Sequence, residues 1–213
     1  YKINTLKPRQ YGGTLSWLAA DGVDEEQTDG IGASEAIEQL EKFSKNGKKF
    51  FLAVGMYRPH TPFVAPKKYF DMYDQNKMEI TYSGSSDEYL STLPEPAQAS
   101  VRWKKDQIKL NYPEHNQLAK EIKEAYYATT TFVDAQIGRI LKKLKKTGLD
   151  KNTIVVFTSD HGYHLGEHGH WQKQTLFENS TRVPLIFSGP KVPIGVVSIS
   201  PVDLIDIYPT LLC

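Results

Sequence analysis

Residues 152–173, NTIVVFTSDHGYHLGEHGHWQK, decide the fold of this chain and hold four of its six histidines. The stretch opens at 153–157 with a continuous β-branched and apolar run, typical of a strand buried on both faces of a sheet. Polar residues follow this run from 158 onward. Because open α/β sheets bind ligands outside the carboxyl ends of their strands, we expect 158–173 to be a functional loop.

Further apolar runs and a helical pattern flank this strand along the sequence. An amphipathic pattern at 33–45 predicts a helix, with Ser34 as a candidate N-cap. KKFFLAVGM at 48–56 follows at once and predicts a strand of the same buried kind. RVPLIFSGP at 182–190 predicts a third strand, which its internal proline weakens.

The remaining segments complete an alternating order of helices and strands. A stripe of apolar residues at helical spacing predicts the longest helix at 116–147, and 204–213 predicts a short apolar helix. Prolines at 59, 62 and 66 predict a rigid loop without regular helix or sheet, and 74–113 reads as a long irregular excursion. The order predicts an α/β layered fold with a mainly parallel central sheet and flanking helices. We expect 1–213 to be one partial domain, incomplete at both ends.

Composition excludes several classes of partner. Lys and Arg number 26 against 25 Asp and Glu, so no overall field favours nucleic acid or a membrane surface. No apolar run reaches the roughly 18 residues of a membrane span. The one cysteine, Cys213, permits neither an internal disulfide nor a multi-cysteine zinc site. The sequence leaves the oligomeric state open.

Asp160 and His161 directly follow the strand at 153–157 and are the first candidates for chemistry. Gly162 lets the backbone turn there, which would bring the carboxylate and the imidazole toward one point. A carboxylate suits calcium or magnesium, and a mixed Asp and His pair also suits zinc or manganese. The alternative is that Asp-His-Gly is only a structural turn.

The other histidines of the loop carry weaker signals. His164 and His168 have the i,i+4 spacing of a helical zinc site, but the intervening glycines disfavour a helix. The alternative is a pair of polar loop histidines with Glu167 as a local hydrogen-bond partner. His170 and Trp171 are expected to pack the loop.

Three further side chains could meet an anionic substrate. His60 lies between two prolines in RPHTP, so its imidazole is held on a stiff backbone at the ligand edge of the sheet. Arg58 could neutralise an anion or lie on the surface. Lys173 could point its ammonium at a substrate or remain solvated.

Two long segments resemble the sulfatase family, and within it the iduronate-2-sulfatase-like enzymes. They are FFLAVGMYRPHTPFVAPKKYFDMY at 50–73 and VVFTSDHGYHLGEHGHWQKQTLFENSTRVPLIF at 155–187, on either side of the long helix. The likeness extends from about Gly22 to Leu212. It implies an alkaline phosphatase-like fold and hydrolysis of sulfate esters with Ca²⁺ and a formylglycine made from cysteine or serine.

The resemblance also implies roles for particular residues. Asp160 and His161 match the metal-binding pair, His60 matches the histidine that contacts the sulfate and assists the leaving group, and Lys173 matches the lysine that binds the sulfate oxygens. Substrate-binding candidates in the same loops are Tyr163, His164 and Arg58. Export to the periplasm, the cell exterior or a lysosome is expected by the same analogy.

The chain departs from the family pattern at one important point. It contains no Cys/Ser-x-Pro-x-Arg nucleophile motif and lacks the aspartate pair that accompanies it in the family. We therefore expect a parent sulfatase acting on a sulfated saccharide, while this chain alone has an incomplete metal site and no turnover. The alternatives are a phosphatase, phosphodiesterase or phosphonate hydrolase of the same superfamily, and a non-catalytic carbohydrate-binding pseudoenzyme.

Overall fold

The computed structural model describes residues 15–81, 87–102 and 116–212. Within them, helices flank short strands that form three two-stranded sheets. The strands are β1 Trp17–Ala20, β2 Phe63–Pro66, β3 Val155–Thr158, β4 His164–Leu165, β5 Trp171–Gln172 and β6 Leu185–Ser188. The α-helices are α1 Thr28–Asn46, α2 Lys67–Phe70, α3 Asp87–Ser91, α4 Glu95–Arg102, α5 Asn116–Lys146, α6 Glu178–Thr181 and α7 Ile207–Leu212.

The two long helices confirm the helical patterns in the sequence. Helix α5 buries one face, formed by Ala119, Ile122, Ala125, Ala128, Thr129, Phe132, Gln136 and Leu144. Helix α1 ends at Gly47, whose φ of 63° is the left-handed geometry that glycine adopts without strain. The N-cap prediction was wrong, because α1 begins at Thr28 and the Ser34 hydroxyl instead donates to the Gly30 carbonyl inside the helix.

The core lies between α5 and the parallel pair β1–β2. Trp17 pairs with Phe63 and Ala20 with Pro66, and the Phe63 side chain is fully buried against α5. The prediction that the prolines exclude a strand here was therefore wrong. Pro62 precedes β2 and Pro66 ends it, so neither occupies a ladder position whose amide is required, and the Phe63 amide donates to Ser16 at 2.8 Å.

The α/β class is confirmed, but the pairing of the other predicted strands differs from a mainly parallel sheet. Strand β6 pairs antiparallel with β3, with Thr158 opposite Leu185. The connection at 159–184 thus leaves and re-enters the sheet at one end, and a parallel pairing would need a crossover to the other end.

The segment 48–56 was wrongly predicted as a strand. It pairs with no strand in the described part of the chain, and the Phe51 side chain is 87% exposed. Phe50 instead stacks on Phe43 of α1, with ring centroids 4.4 Å apart. An apolar run forms a strand only where another strand supplies hydrogen-bonding partners, and periodicity does not report that condition.

The excursion at 74–113 has more regular structure than expected. It contains α3 and α4, while 82–86 and 103–115 lie outside the described residues. Pro96 falls in the first turn of α4, where a proline costs the helix no hydrogen bond. Helix α7 confirms the helix predicted near the end, and none of the helices described is long and apolar enough to cross a membrane.

Candidate functional site

The side chains of Asp160 and His161 face each other just beyond β3. His161 Nδ1 lies 2.8 Å from the Gly162 carbonyl, which can only accept, so Nδ1 carries the proton and Nε2 presents a lone pair. That Nε2 lies 3.5 Å from Asp160 Oδ2. Two acceptors therefore face one point, an arrangement that a positive charge stabilises.

Lys173 supplies a positive charge at this point. Its Nζ lies 2.7 Å from His161 Nε2, although the two residues are separated by the whole loop. The short antiparallel pair β4–β5 folds the loop back on itself, with Leu165 opposite Trp171. Trp171 is fully buried and fixes this hairpin, so the fold of the loop brings Lys173 beside the Asp160 and His161 pair.

Gly162 allows the loop to press against α6. Its amide donates to the Ser180 carbonyl at 2.8 Å. A Cβ atom at this position would lie 2.1 Å from the Asn179 carbonyl oxygen, a distance that no side chain could occupy. Glycine is therefore required here for close backbone approach.

His164 lies in the interior of the loop. Its side chain is fully buried, with Nε2 2.8 Å from Thr175 Oγ1 and Nδ1 3.3 Å from the Glu167 carbonyl. Both ring nitrogens thus contact protein groups, and the contact with Glu167 matches the simpler alternative for this histidine. Its predicted contact with substrate stays a prediction.

His170 packs inside the loop, as expected, and His168 also packs there. His168 stacks on Phe177 with centroids 4.0 Å apart, and its Nδ1 lies 2.6 Å from the Tyr89 hydroxyl of α3. The buried His170 donates from Nε2 to the Lys173 carbonyl at 3.2 Å. His170 thereby supports the backbone that presents Lys173.

Tyr163 joins the loop to the core. Its ring packs edge-on against Phe63, with centroids 6.1 Å apart, and stacks on Tyr126 of α5 at 5.1 Å. Burial, with a smaller effect of Tyr126, raises the pKa of the Tyr163 hydroxyl far above its ordinary value. Since Phe63 follows the loop that carries His60, this contact connects the two candidate loops through the core. A role for Tyr163 in substrate binding stays a prediction.

The His60 loop is held by a residue that the sequence reading missed. The buried carboxylate of Asp29 in α1 accepts the backbone amides of Tyr57 at 2.7 Å and Arg58 at 2.9 Å. The sequence signal for Asp29 was only that of an acidic residue in the first turn of a helix, which is common.

Arg58 is engaged within the same loop. Its Nε donates to the Val64 carbonyl and its Nη1 to the His60 carbonyl, both at 3.0 Å. Burial lowers the pKa of Arg58 below its usual value, and the charge of Asp29 partly offsets this effect. The exposed His60 ring donates from Nδ1 to the Thr61 carbonyl at 2.7 Å, which leaves Nε2 for other partners. An anion-binding role for Arg58 stays a prediction.

The family model described as Sulfatase matches residues 5–213. The chain belongs to the sulfatase family. It is 41% identical over 182 residues to a sulfatase of Formosa agariphila, covering 81% of this chain and 34% of that protein. It is 35% identical over 161 residues to human iduronate 2-sulfatase, covering 73% of this chain and 29% of that protein.

A solved structure supports the sulfatase-like fold of the chain. The phosphonate monoester hydrolase SpPMH from Silicibacter pomeroyi superposes with a TM-score of 0.71 at 25% identity, covering 90% of this chain and 38% of that one. This sulfatase chain spans about a third of the length of the curated relatives it matches, 34% and 29% for the two above.

Asp160 and His161 fit a divalent cation as two ligands of a larger site. The carboxylate oxygen and the imidazole lone pair are both donors that calcium-binding or transition-metal sites use. Among the residues described, no group of three or more His, Cys, Asp and Glu side chains could hold a metal ion. The role of Asp160 and His161 as metal ligands therefore stays a prediction.

Proposed function

We propose that the protein is a sulfuric ester hydrolase acting on a sulfated saccharide. The observation that carries the proposal is the convergence of Lys173 Nζ and Asp160 Oδ2 on His161 Nε2, at 2.7 and 3.5 Å, in a chain of the sulfatase family. The likeness to iduronate 2-sulfatase favours a saccharide as the alcohol part of the ester. The same likeness favours export to the periplasm, the cell exterior or a lysosome.

Asp160 and His161 are proposed ligands of Ca²⁺. A cation held there would neutralise negative charge on the oxygens of a bound sulfate. The family resemblance implies that an aspartate pair completes the site and that a formylglycine provides the nucleophile. Neither feature was found by motif in these 213 residues, so both are expected from the rest of the protein.

Lys173 and His60 are proposed to act on the substrate itself. The Lys173 ammonium is the cationic group next to the ligand pair and suits an anion with oxygens in several directions. The exposed His60 ring has its Nδ1 tied to Thr61, so Nε2 is the atom that would deliver a proton to the departing alkoxide. A stiff, Asp29-anchored loop limits the entropy lost when this group is positioned.

A second candidate is hydrolysis of a phosphate or phosphonate monoester. The specific observation in its favour is the superposition on a phosphonate monoester hydrolase with a TM-score of 0.71. Both reactions place anionic oxygens beside a metal and a lysine. The two functions therefore differ in substrate and nucleophile, and only turnover separates them.

The deciding experiment measures kcat/KM of the full-length protein on sulfated saccharides, phosphate monoesters and phosphonate monoesters. We expect sulfate-ester turnover at least tenfold above the others. Lys173→Met is expected to raise KM and lower kcat, and the exposed Lys151→Met serves as the matched control. Turnover of phosphorus esters alone would overturn the proposal. Saccharide binding without any turnover would instead identify a pseudoenzyme.

A further inference from the structure

A buried polar relay lies directly behind the Asp160 and His161 pair. It consists of His164, Thr175 and Ser180, whose exposed fractions are 0%, 7% and 6%. His164 Nε2 lies 2.8 Å from Thr175 Oγ1, and Thr175 Oγ1 lies 3.0 Å from Ser180 Oγ. The relay therefore spans from β4 to α6 through the interior of the loop.

The Thr175 hydroxyl joins the other two members of the relay. Its Oγ1 lies within hydrogen-bond distance of both His164 Nε2 and Ser180 Oγ. Ser180 is thereby fixed from within, while its backbone carbonyl accepts the Gly162 amide at 2.8 Å. Gly162 is the residue after His161, and its missing side chain allows this close approach.

The ligand pair cannot hold itself in place. The Asp160 side chain is 83% exposed, and its hydrogen bonds to Ser159 and the His161 amide are local contacts within the same turn. The carbonyl that accepts from His161 Nδ1 belongs to Gly162. The orientation of the imidazole thus depends on the position of Gly162, which the Ser180 carbonyl fixes.

We propose that Thr175 and Ser180, anchored by His164, are positioning residues that hold Asp160 and His161 in their facing arrangement and so set the affinity of this pair for a divalent cation. The statement about affinity rests on the proposed calcium site. Groups that orient metal ligands from behind change metal affinity by about 10- to 100-fold when removed. Thr175 and Ser180 supply buried hydroxyl groups in this position.

The test compares three variants of the full-length protein. Thr175→Val removes the hydroxyl at nearly constant shape, Thr175→Ser restores it, and Thr181→Ala removes an exposed hydroxyl from the same helix as Ser180. Hydrogen exchange of peptides spanning 159–165 is measured without calcium, and calcium affinity is measured by calorimetry. We expect Thr175→Val to accelerate exchange and to weaken calcium binding about tenfold. The other two variants should match the wild type.

Wild-type exchange of the peptides spanning 159–165 in Thr175→Val would overturn the proposal. So would Thr175→Ser behaving like Thr175→Val, because the methyl group rather than the hydroxyl would then be responsible. If Thr175→Val does not fold, Ser180→Ala takes its place, since it removes the hydroxyl and keeps the carbonyl. A wild type that binds no calcium contradicts the proposed metal site, and the exchange data then decide the positioning role alone.

Discussion

Asp29 shows how a single carboxylate can determine the position of a distant candidate residue. Its two oxygens accept the amides of Tyr57 and Arg58, and it is 3% exposed. Removal of the acceptor leaves two backbone donors without their partner in a partly buried loop. The lost hydrogen bonds destabilise the segment that carries His60, although Asp29 itself lies in α1.

Asp29→Ala is expected to lower the free energy of unfolding by about 2–3 kcal/mol, because hydrogen bonds to a charged acceptor are lost. Asp29→Asn should lower the free energy of unfolding by less, since the amide oxygen still accepts one of the two hydrogen bonds. Urea unfolding measures both. Glu38→Gln, an exposed acid in the same helix, is the control, and a cost for Asp29→Ala no larger than that of the control would contradict the assignment.

Gly162 is the second residue whose replacement is expected to change the stability of the protein. Gly162→Ala is expected to destabilise the protein by about 1–3 kcal/mol, because the new methyl group would meet the Asn179 carbonyl oxygen at 2.1 Å. Gly138→Ala in α5 meets nothing within 4 Å and should stabilise by up to about 1 kcal/mol. Thermal unfolding measures the change in Tm of each variant relative to the wild type. Equal changes in Tm for the two variants would refute the steric argument.

At the scale of elements, a polar cluster around Asp24 joins α2 and α5 to the turn before α1. The Asp24 carboxylate accepts the Tyr69 hydroxyl at 2.7 Å and the Gln136 amide at 3.1 Å, and it pairs with Lys68 at 2.6 Å. Burial alone raises the pKa of Asp24. The hydrogen bonds from its three partners, led by Lys68, outweigh burial and lower the pKa of Asp24 below its ordinary value.

The lowered pKa of Asp24 predicts a loss of stability in acid. An unfolded aspartate has a pKa of about 3.9, so the contribution of Asp24 is complete above that pH and is lost as pH falls through the lower folded pKa. Asp24→Asn should reduce stability at pH 7 and flatten the pH dependence of stability below about pH 4. Urea unfolding from pH 3 to 7 measures this, with Asp150→Asn as a control, and parallel curves for Asp24→Asn and wild type would contradict it.

The elements also show which parts of the fold a local pattern predicts. Helices α1 and α5 were predictable because their apolar periodicity is read within one segment. The unpaired state of 48–56 in the described structure and the antiparallel pairing of β6 were not predictable, because a strand is defined by a partner far away in sequence. The loop at 158–173 was located by its place after an apolar strand, whereas its internal hairpin β4–β5 was not foreseen.

At the scale of the whole molecule, the 213-residue chain exposes an extensive set of large apolar side chains. Phe51 is 87% exposed, and Ile186 in β6 and Val197 are 54% and 86% exposed. Soluble monomers rarely present many such side chains together, and contiguous apolar patches mark surfaces that another part of a protein covers. The chain by itself is therefore expected to associate.

A polypeptide of these 213 residues is expected to form oligomers at micromolar concentration and to bind a hydrophobic dye. Phe51→Lys combined with Ile186→Lys should reduce both effects, because charge opposes burial of this surface. Light scattering and dye fluorescence measure the change. The substitution of two surface lysines by alanine, Lys45→Ala with Lys151→Ala, is the control, and a monomeric wild-type chain would contradict the expectation.

The sequence by itself determined the α/β class, the two long helices, the loop after β3 and, through long motifs in order, the sulfatase family. It also supplied His60, Asp160, His161 and Lys173 as candidates. Only the tertiary structure decided that Lys173 lies against His161, that Asp29 holds the His60 loop and that His164 turns inward. Local periodicity records which face of a segment is buried. It does not record which distant groups complete a hydrogen bond, and these contacts join residues that only the folded chain brings together.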